Sequence, residues 1–204
     1  MDVRLDKQVV IVTGGDSGIG KGIALLFAEA GASIAVNYHS QQEDAENVVS
    51  EIRKNGGQAF AIQGDVGKAV DVDRIFSETI KQFGGVDILI ANSGMQKDAK
   101  VGDMTLEQWQ AVIDTNLTGQ FLCAKAAIRQ FRTQGDRGTS RACGKILHMS
   151  SVHDIIPWAG HVNYAASKGG VDMLMKTLAQ EVAPEGIRIN AISPGAIRTR
   201  INKE

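Results

Sequence analysis

Cysteine is scarce in this sequence: its 2 cysteines, Cys123 and Cys143, form neither a close pair nor a metal-ligand cluster. A disulfide framework and a thiolate metal site are thereby excluded, and small buried thiols are expected. His39, His148, His153 and His161 also lack metal-ligand spacing, so no metal is expected. Charge of one sign is missing too, with 22 basic side chains against 23 acidic ones and a net charge of -1. Without a basic stripe there is no electrostatic footprint for nucleic acid or for an anionic membrane. No apolar run approaches the ~20 residues that span a bilayer, and the stretch from Met1 to Lys7 carries no apolar signal region, so the cytosol is the expected location. A chain of 204 residues, 43% hydrophobic, is long enough for one good core. Residues 1–204 show no internal repeat or interdomain linker and are read as one domain.

What is present begins with Val9-Val10-Ile11-Val12, an apolar run suited to a buried strand, which feeds into Thr13-Gly14-Gly15-Asp16-Ser17-Gly18-Ile19-Gly20. A helix is expected over 18–30. Glycines at 14, 18 and 20 permit a tight turn and a close backbone approach, and the helix N-terminus offers free N–H groups to a pyrophosphate. The spacing is G-x3-G-x-G, which carries the same dinucleotide-binding logic as the commoner G-x-G-x-x-G. A tight turn with no ligand is the plainer alternative. Further strands are expected over 33–37, 58–63, 88–91, 144–149 and 187–192, with helices over 42–55, 70–83, 105–131 and 164–183. Such alternation implies an α/β fold with a doubly wound parallel sheet covered by helices on both faces. Thr105-Leu106-Glu107-Gln108 reads as a capping box opening the long helix, and 133–142, polar and glycine-containing, as a surface loop.

Ser151, Tyr164 and Lys168 carry the chemistry. Tyr164 and Lys168 lie four apart and so share one face of a helix. At 100° per residue, Tyr164, Lys168, Val171, Met175, Leu178 and Val182 all fall within about 40° of one line. Lys168 therefore sits in an apolar stripe, where an unpaired ammonium is costly and needs a partner or a task. Phenols and ammoniums titrate near ~10 and ~10.4, too high for acid–base work at neutral pH, but a cation beside a phenol favours its ionised form. Tyr164 could then exchange a proton with a substrate oxygen that Ser151 hydrogen-bonds. An amphipathic surface pair is the bland alternative.

With Thr13 to Gly20, Asp65-Val66, Asn92-Ser93-Gly94, Asn116, Ser151, Tyr164, Lys168 and Pro194-Gly195-Ala196-Ile197-Arg198-Thr199 in place, the chain resembles the short-chain dehydrogenase/reductase family over essentially its whole length. The resemblance implies a Rossmann-type fold and an NAD(P)-dependent oxidoreductase. It makes Tyr164 the general acid/base, Lys168 its activating cation and a ligand of the nicotinamide ribose, and Ser151 the group that orients the substrate oxygen. It also has Asn116 hold a water that links Lys168 to solvent. By the same resemblance Gly14, Asp16, Ser17, Gly18, Ile19 and Gly20 cradle the pyrophosphate, and Asp65 with Val66 meets the adenine. Asn92 and Gly94 then lie beside the adenine ribose, and Pro194, Gly195, Ile197 and Thr199 hold the carboxamide side. Ser93 departs from the family's Asn-Asn-Ala-Gly, where alanine is usual. On the residues alone, Asn116 lies four after Val112 and seven after Trp109, on the expected buried side of its helix, where an amide needs partners.

Choice of dinucleotide is read just after the second strand, at Tyr38, His39 and Ser40, where a carboxylate would accept from the ribose 2′-hydroxyl and repel a 2′-phosphate. None stands there, which argues against strict use of NAD, while the lack of arginine and the presence of Asp16 argue against strong phosphate binding. NADP or dual use is expected. The loop over 153–163 edges the pocket, with Trp158 offering an indole face to a sugar ring and His153 a polar group, so the substrate region is placed at 151–163 and after 195. The strings Ser-Ser-Val-His, Ile-Pro-Trp and Ile201-Asn202 resemble bacterial glucose 1-dehydrogenases within the family, implying oxidation of an aldose to a lactone. A ketone reductase acting on 3-oxoacyl thioesters, and a non-catalytic dinucleotide-binding scaffold, are the alternatives. The resemblance further implies a homotetramer built on the helices that carry Thr105 and Tyr164, with Ala165, Ala166, Gly169 and Gly170 allowing close contact. It also leads one to expect a further strand and a substrate lid beyond Glu204.

Overall fold

The computed structural model describes residues 4–199. Six parallel strands form one sheet in the order β3-β2-β1-β4-β5-β6. In chain order the elements are β1 (Val9–Val12), α1 (Gly18–Glu29), β2 (Ser33–Tyr38), α2 (Gln42–Lys54), β3 (Gln58–Gln63) and α3 (Ala69–Phe83). They continue with β4 (Ile88–Ala91), α4 (Leu106–Ile113), a π turn (Asp114–Thr118), α5 (Gly119–Gln134), β5 (Gly144–Met149), α6 (Val162–Val182) and β6 (Ile187–Ile192). The doubly wound sheet expected from the alternation of apolar runs is therefore present. The central strands β1 and β4 are buried at every position, as parallel strands covered on both faces must be. At the edge, β6 instead alternates, burying Ile187 and Ile189 while Arg188 and Asn190 are exposed.

Helix periodicity decides which face each helix covers. On α2, Ala45, Val48, Val49 and Ile52 recur at helical spacing and pack with Ala24 of α1 against Val10, Val12, Ile34 and Val36. On α3, Val72, Ile75 and Phe76 do the same on the opposite face, joined by Ala124, Ile128 and Phe131 of α5 and Val182 of α6. The chain changes face between β3 and β4, so β1 and β4 are neighbours whose following segments diverge to opposite sides. That divergence opens a crevice at the C-terminal ends of the strands.

Two boundaries differ from expectation for physical reasons. The helix expected as one piece over 105–131 is interrupted by the π turn at Asp114–Thr118, which widens one turn around Asn116. It also runs on to Gln134, past the start of the expected loop, because the Gln134 amide pairs with the Val86 backbone, accepting from its N–H at 3.2 Å and donating to its carbonyl. The capping box at its start is present: Thr105 Oγ1 accepts from Gln108 N at 3.2 Å, and Gln108 Oε1 accepts from Thr105 N at 2.9 Å. Thr105→Ala removes one half of this exchange at an exposed site and is expected to lower stability by about 1 kcal/mol in denaturant unfolding, with an unchanged slope.

Candidate active site

The glycine turn is shaped by backbone contacts before any side chain enters. Gly14 and Gly18 adopt φ of 58° and 53°, in the left-handed region that favours glycine. Gly20 is required for closeness: a Cβ there would stand 2.1 Å from the Gly14 carbonyl oxygen and 2.6 Å from Asn92 Nδ2. Ser17 starts α1 without a side-chain capping bond, which leaves the first N–H groups of the helix to whatever approaches them. Thr13 clamps the turn to the end of β4, its hydroxyl accepting from Asn92 N at 2.9 Å and Ser93 N at 3.0 Å. Asn92 Nδ2 reciprocates, donating to the carbonyls of Thr13 and Gly14 at 2.9 and 3.0 Å.

A cavity of about 700 Å³ runs from this turn to Tyr164. Lining it are Gly14, Asp16, Ser17, Gly18, Ile19, His39, Ser40, Asp65, Val66, Asn92, Gly94, Pro194, Gly195, Ile197 and Thr199, together with Ser151, His153, Trp158, Tyr164 and Lys168. Three expected residues stand elsewhere. Gly20 lies beneath the turn and acts through helix packing. Tyr38, expected beside the ribose, is a correction: as the last residue of β2 it is 7% exposed and turned into the core formed with α1 and α2, so His39, Ser40 and Gln41 take the cavity wall instead. Asn116 is fully buried; its Oδ1 accepts from Met95 N at 2.8 Å, and its Nδ2 donates to Met95 O at 3.0 Å and Ser167 Oγ at 3.2 Å. The amide is thus engaged within the protein, although a Cβ on Gly94 would stand 3.5 Å from Asn116 Oδ1 and 3.7 Å from Lys168 Nζ. Ile201 and Asn202 lie outside the described residues.

Lys168 is 3% exposed, and its Nζ donates to the Met149 carbonyl at 2.7 Å while lying 5.6 Å from the centre of the Tyr164 ring. The apolar stripe read from the helical wheel is real: Val171 and Val182 are fully buried, and Met175 and Leu178 pack on the same core. Burial pulls the Lys168 ammonium down from 10.5 to about 8, against a smaller upward pull from Asp154. Behind it, Gln120 Nε2 donates to the same Met149 oxygen at 3.1 Å, and Gln120 Oε1 lies 2.7 Å from His148 Nδ1. Burial, with the Lys168 charge nearby, holds His148 at about 4, so it is neutral at neutral pH. Nδ1 is then the protonated nitrogen that donates to Gln120. Thr13 was read only as the first residue of the glycine turn, with no clamping role, and Gln120 was not expected at the site, although it follows Val112 and Asn116 at four-residue steps.

Trp158 supplies the second correction. Its ring stacks on His153 at 4.4 Å and on His161 at 3.5 Å between centroids. Two rings at those distances cannot share one face, so the indole is sandwiched and offers an edge, not a face, to the cavity. His161 Nδ1 lies 2.8 Å from Asp98 Oδ1, within ion-pair range when protonated but off the line that a hydrogen bond requires. His153 Nδ1 donates to Ile156 O at 2.9 Å, which leaves Nε2 of the neutral ring an acceptor, and the ring meets Tyr164 edge-on at 6.4 Å. Among the described residues no group of side chains could hold a metal, and no helix is long and apolar enough to cross a membrane. Cys123 is buried, its thiol pushed up to about 12 by desolvation, and Cys143 is half-buried and free. Gly170 uses its small size inside the chain, where a Cβ would stand 2.9 Å from Leu117 Cδ2.

An uncapped helix N-terminus, a glycine turn too close for any side chain, and a buried lysine beside a tyrosine, all facing one elongated cavity, fit a nicotinamide dinucleotide. The family model described as short chain dehydrogenase matches residues 8–204, and the chain belongs to that family of NAD(P)-dependent oxidoreductases. Curated relatives differ in substrate. The chain is similar to a 3beta-hydroxysteroid dehydrogenase 1 of Eggerthella lenta (45% identical over 200 residues, 98% of this chain and 74% of that protein). It is also similar to a 3-oxoacyl-[acyl-carrier-protein] reductase of Synechocystis (42%, with 96% and 76% covered) and to glucose 1-dehydrogenase 2 of Bacillus subtilis (40%, with 97% and 75% covered). A solved short chain dehydrogenase from Burkholderia cenocepacia in complex with NADP superposes with a TM-score of 0.90 at 33% identity, covering 98% of this chain and 78% of that one.

A lysine whose folded value lies below its unfolded one disfavours folding in full while the folded protein must carry the buried charge, and less once that charge can be shed. The penalty is therefore complete below about pH 8 and fades as pH rises towards 10.5. Lys168→Met is expected to stabilise the ligand-free protein by a few kcal/mol at pH 7, an advantage that shrinks across that window, as read by urea unfolding at both ends.

Proposed function

We propose that the protein oxidises the C1 hydroxyl of an aldose such as glucose to a lactone, using NADP or either dinucleotide. The observation that supports the chemistry is the convergence of Ser151, Tyr164 and Lys168 with the α1 N-terminus on one cavity. When bound, the nicotinamide supplies two-electron chemistry, taking a hydride from a carbon that bears a hydroxyl or returning it to a carbonyl. The chain's own residues do the rest. Ser151 Oγ hydrogen-bonds the substrate oxygen, and Tyr164 Oη takes the hydroxyl proton as the C–H bond breaks, or gives it back in reduction. The buried Lys168 ammonium offsets negative charge at Tyr164 and donates to the nicotinamide ribose. A water beside Asn116 and Lys168 carries the proton onward. Ser17, Gly18 and Ile19 at the α1 N-terminus would hold the phosphates of the dinucleotide, and His39 and Asp65 its adenosine.

The substrate region is assigned to 151–163 and to the segment after 195. With the Trp158 faces occupied, recognition of a polyol falls to polar atoms that line the cavity: Ser151 Oγ, the free acceptor of His153, and Gln96. The His39-Ser40-Gln41 stretch bears neither a carboxylate nor an arginine, which supports NADP or dual use. The Synechocystis relative supports a second reading, reduction of a 3-oxoacyl thioester. Assembly as a homotetramer in the cytosol belongs to the same proposal. A scaffold that only binds dinucleotide would have no use for a serine hydroxyl and a phenol converging on the cavity beside that ammonium.

Purified protein is expected to reduce NADP, with or without NAD as an equal substitute, when given glucose. Turnover confined to the thioester or to a 3β-hydroxysteroid would remove the sugar assignment, and a strong preference for NAD the dinucleotide assignment. Tyr164→Phe is expected to lower kcat by roughly 10²- to 10⁴-fold while dinucleotide affinity, measured by fluorescence quenching, changes little.

A further inference from the structure

Asp154 belongs neither to the glycine turn nor to the Ser151, Tyr164 and Lys168 set, yet its carboxylate sits where three segments of the site meet. Ser150 Oγ donates to Asp154 Oδ2 at 3.0 Å, and Ser193 Oγ donates to the same oxygen at 2.5 Å. Ser150 directly follows β5 and immediately precedes Ser151. Ser193 directly follows β6 and immediately precedes Pro194 and Gly195, which line the cavity. The backbone repeats the same connections: Asp154 N donates to Ser151 O at 2.9 Å, and Val152 N donates to Pro194 O at 3.1 Å. Ser150 Oγ also lies 3.3 Å from the Lys168 carbonyl, so the carboxylate reaches α6 through one hydroxyl. Hydrogen bonds to an ionised acceptor are about twice as strong as neutral ones, and here one oxygen gathers two.

Charge adds a second reason. The groups around Lys168 Nζ are Tyr164 on its own helix, Met149 O and His148 on β5, Asn116 in the π turn, and Asp154 in the short turn Val152–Asp154. His148 is neutral at neutral pH, and Asn116 and Met149 O carry no charge. Asp154 is thus the acidic group among them, and its pull on the Lys168 proton opposes that of burial.

We propose that Asp154 is a positioning residue that staples Ser151 and the Pro194-Gly195 segment around the cavity and supplies the counter-charge for the buried Lys168 ammonium. This role rests on the assignment of Ser151, Tyr164 and Lys168 to catalysis. A carboxylate that merely finishes a surface turn would do neither.

The test uses the full chain labelled with ¹³C at lysine Cε, with the Lys168 signal assigned by its loss in Lys168→Met. In Asp154→Asn, which keeps the shape and removes the charge, Lys168 is expected to titrate at lower pH than in wild type. The alkaline limb of kcat should move the same way, and kcat at neutral pH should fall roughly tenfold. Asp154→Glu should recover part of the loss. Ser193→Ala keeps the charge and removes one anchor; it should weaken NADP binding several-fold and leave the Lys168 titration in place. Coincident Lys168 titrations in wild type and Asp154→Asn overturn the counter-charge, and unchanged NADP affinity in Ser193→Ala overturns the staple. Retained turnover in Tyr164→Phe would instead defeat the catalytic assignment, and the Lys168 signal would still decide the role of Asp154.

Discussion

An ammonium buried against a carbonyl oxygen is the constraint around which this site is organised. Lys168 lies in the apolar stripe of α6, where desolvation disfavours its charge, and its ammonium donates a direct hydrogen bond to the Met149 backbone. Holding that carbonyl in place is consequently as important as holding the lysine. Gln120 shares the same oxygen from α5, and His148 backs Gln120 from β5. The end of β5, which also carries Ser150 and Ser151, is thereby pinned from two helices at once. Site geometry and sheet packing are one structure here, since moving β5 would move both the serine and the acceptor of the lysine.

The cofactor end of the cavity depends on a different economy of space. Parallel strands β1 and β4 lie side by side, and the segments leaving them diverge, so the crevice is a consequence of topology and needs no dedicated side chain. What the sequence adds is a clamp across that divergence. Thr13 and Asn92 exchange four hydrogen bonds with each other's segments, and Gly20 lets α1 begin against the turn itself. Asn92 Nδ2 is engaged with the carbonyls of Thr13 and Gly14, so this side chain helps to fix the shape of the turn.

Legibility varied with the kind of signal. Strand and helix positions followed from apolar runs and helical spacing, because burial on a sheet face or a helix stripe is a one-dimensional pattern. The interruption at Asp114–Thr118 left no such mark: Asp-Thr-Asn-Leu-Thr is polar and apolar in the order a regular helix would also accept, and the widening is settled by Asn116 reaching Met95 and Ser167. Tyr38 was read as a ribose neighbour because it follows the strand run, whereas strand alternation turned it into the core and passed the wall to His39. For Trp158, an aromatic residue in a loop announced a recognition surface, and only folding showed that two imidazoles already cover its faces. Asp154 was visible as one acidic residue in a loop; its partners Ser150 and Ser193 directly follow β5 and β6, which are far apart in sequence.

By itself, then, the sequence determined the parallel α/β architecture, the glycine turn and the identity of the tyrosine, lysine and serine that face the cavity. These depend on local spacing, which a chain carries before it folds. Only the tertiary structure decided which carbonyl holds Lys168, which face Tyr38 takes, and which carboxylate gathers the two hydroxyls beside the site. Those contacts join residues from separate strands and helices, and their partners exist only once the sheet has brought the ends of β5 and β6 together.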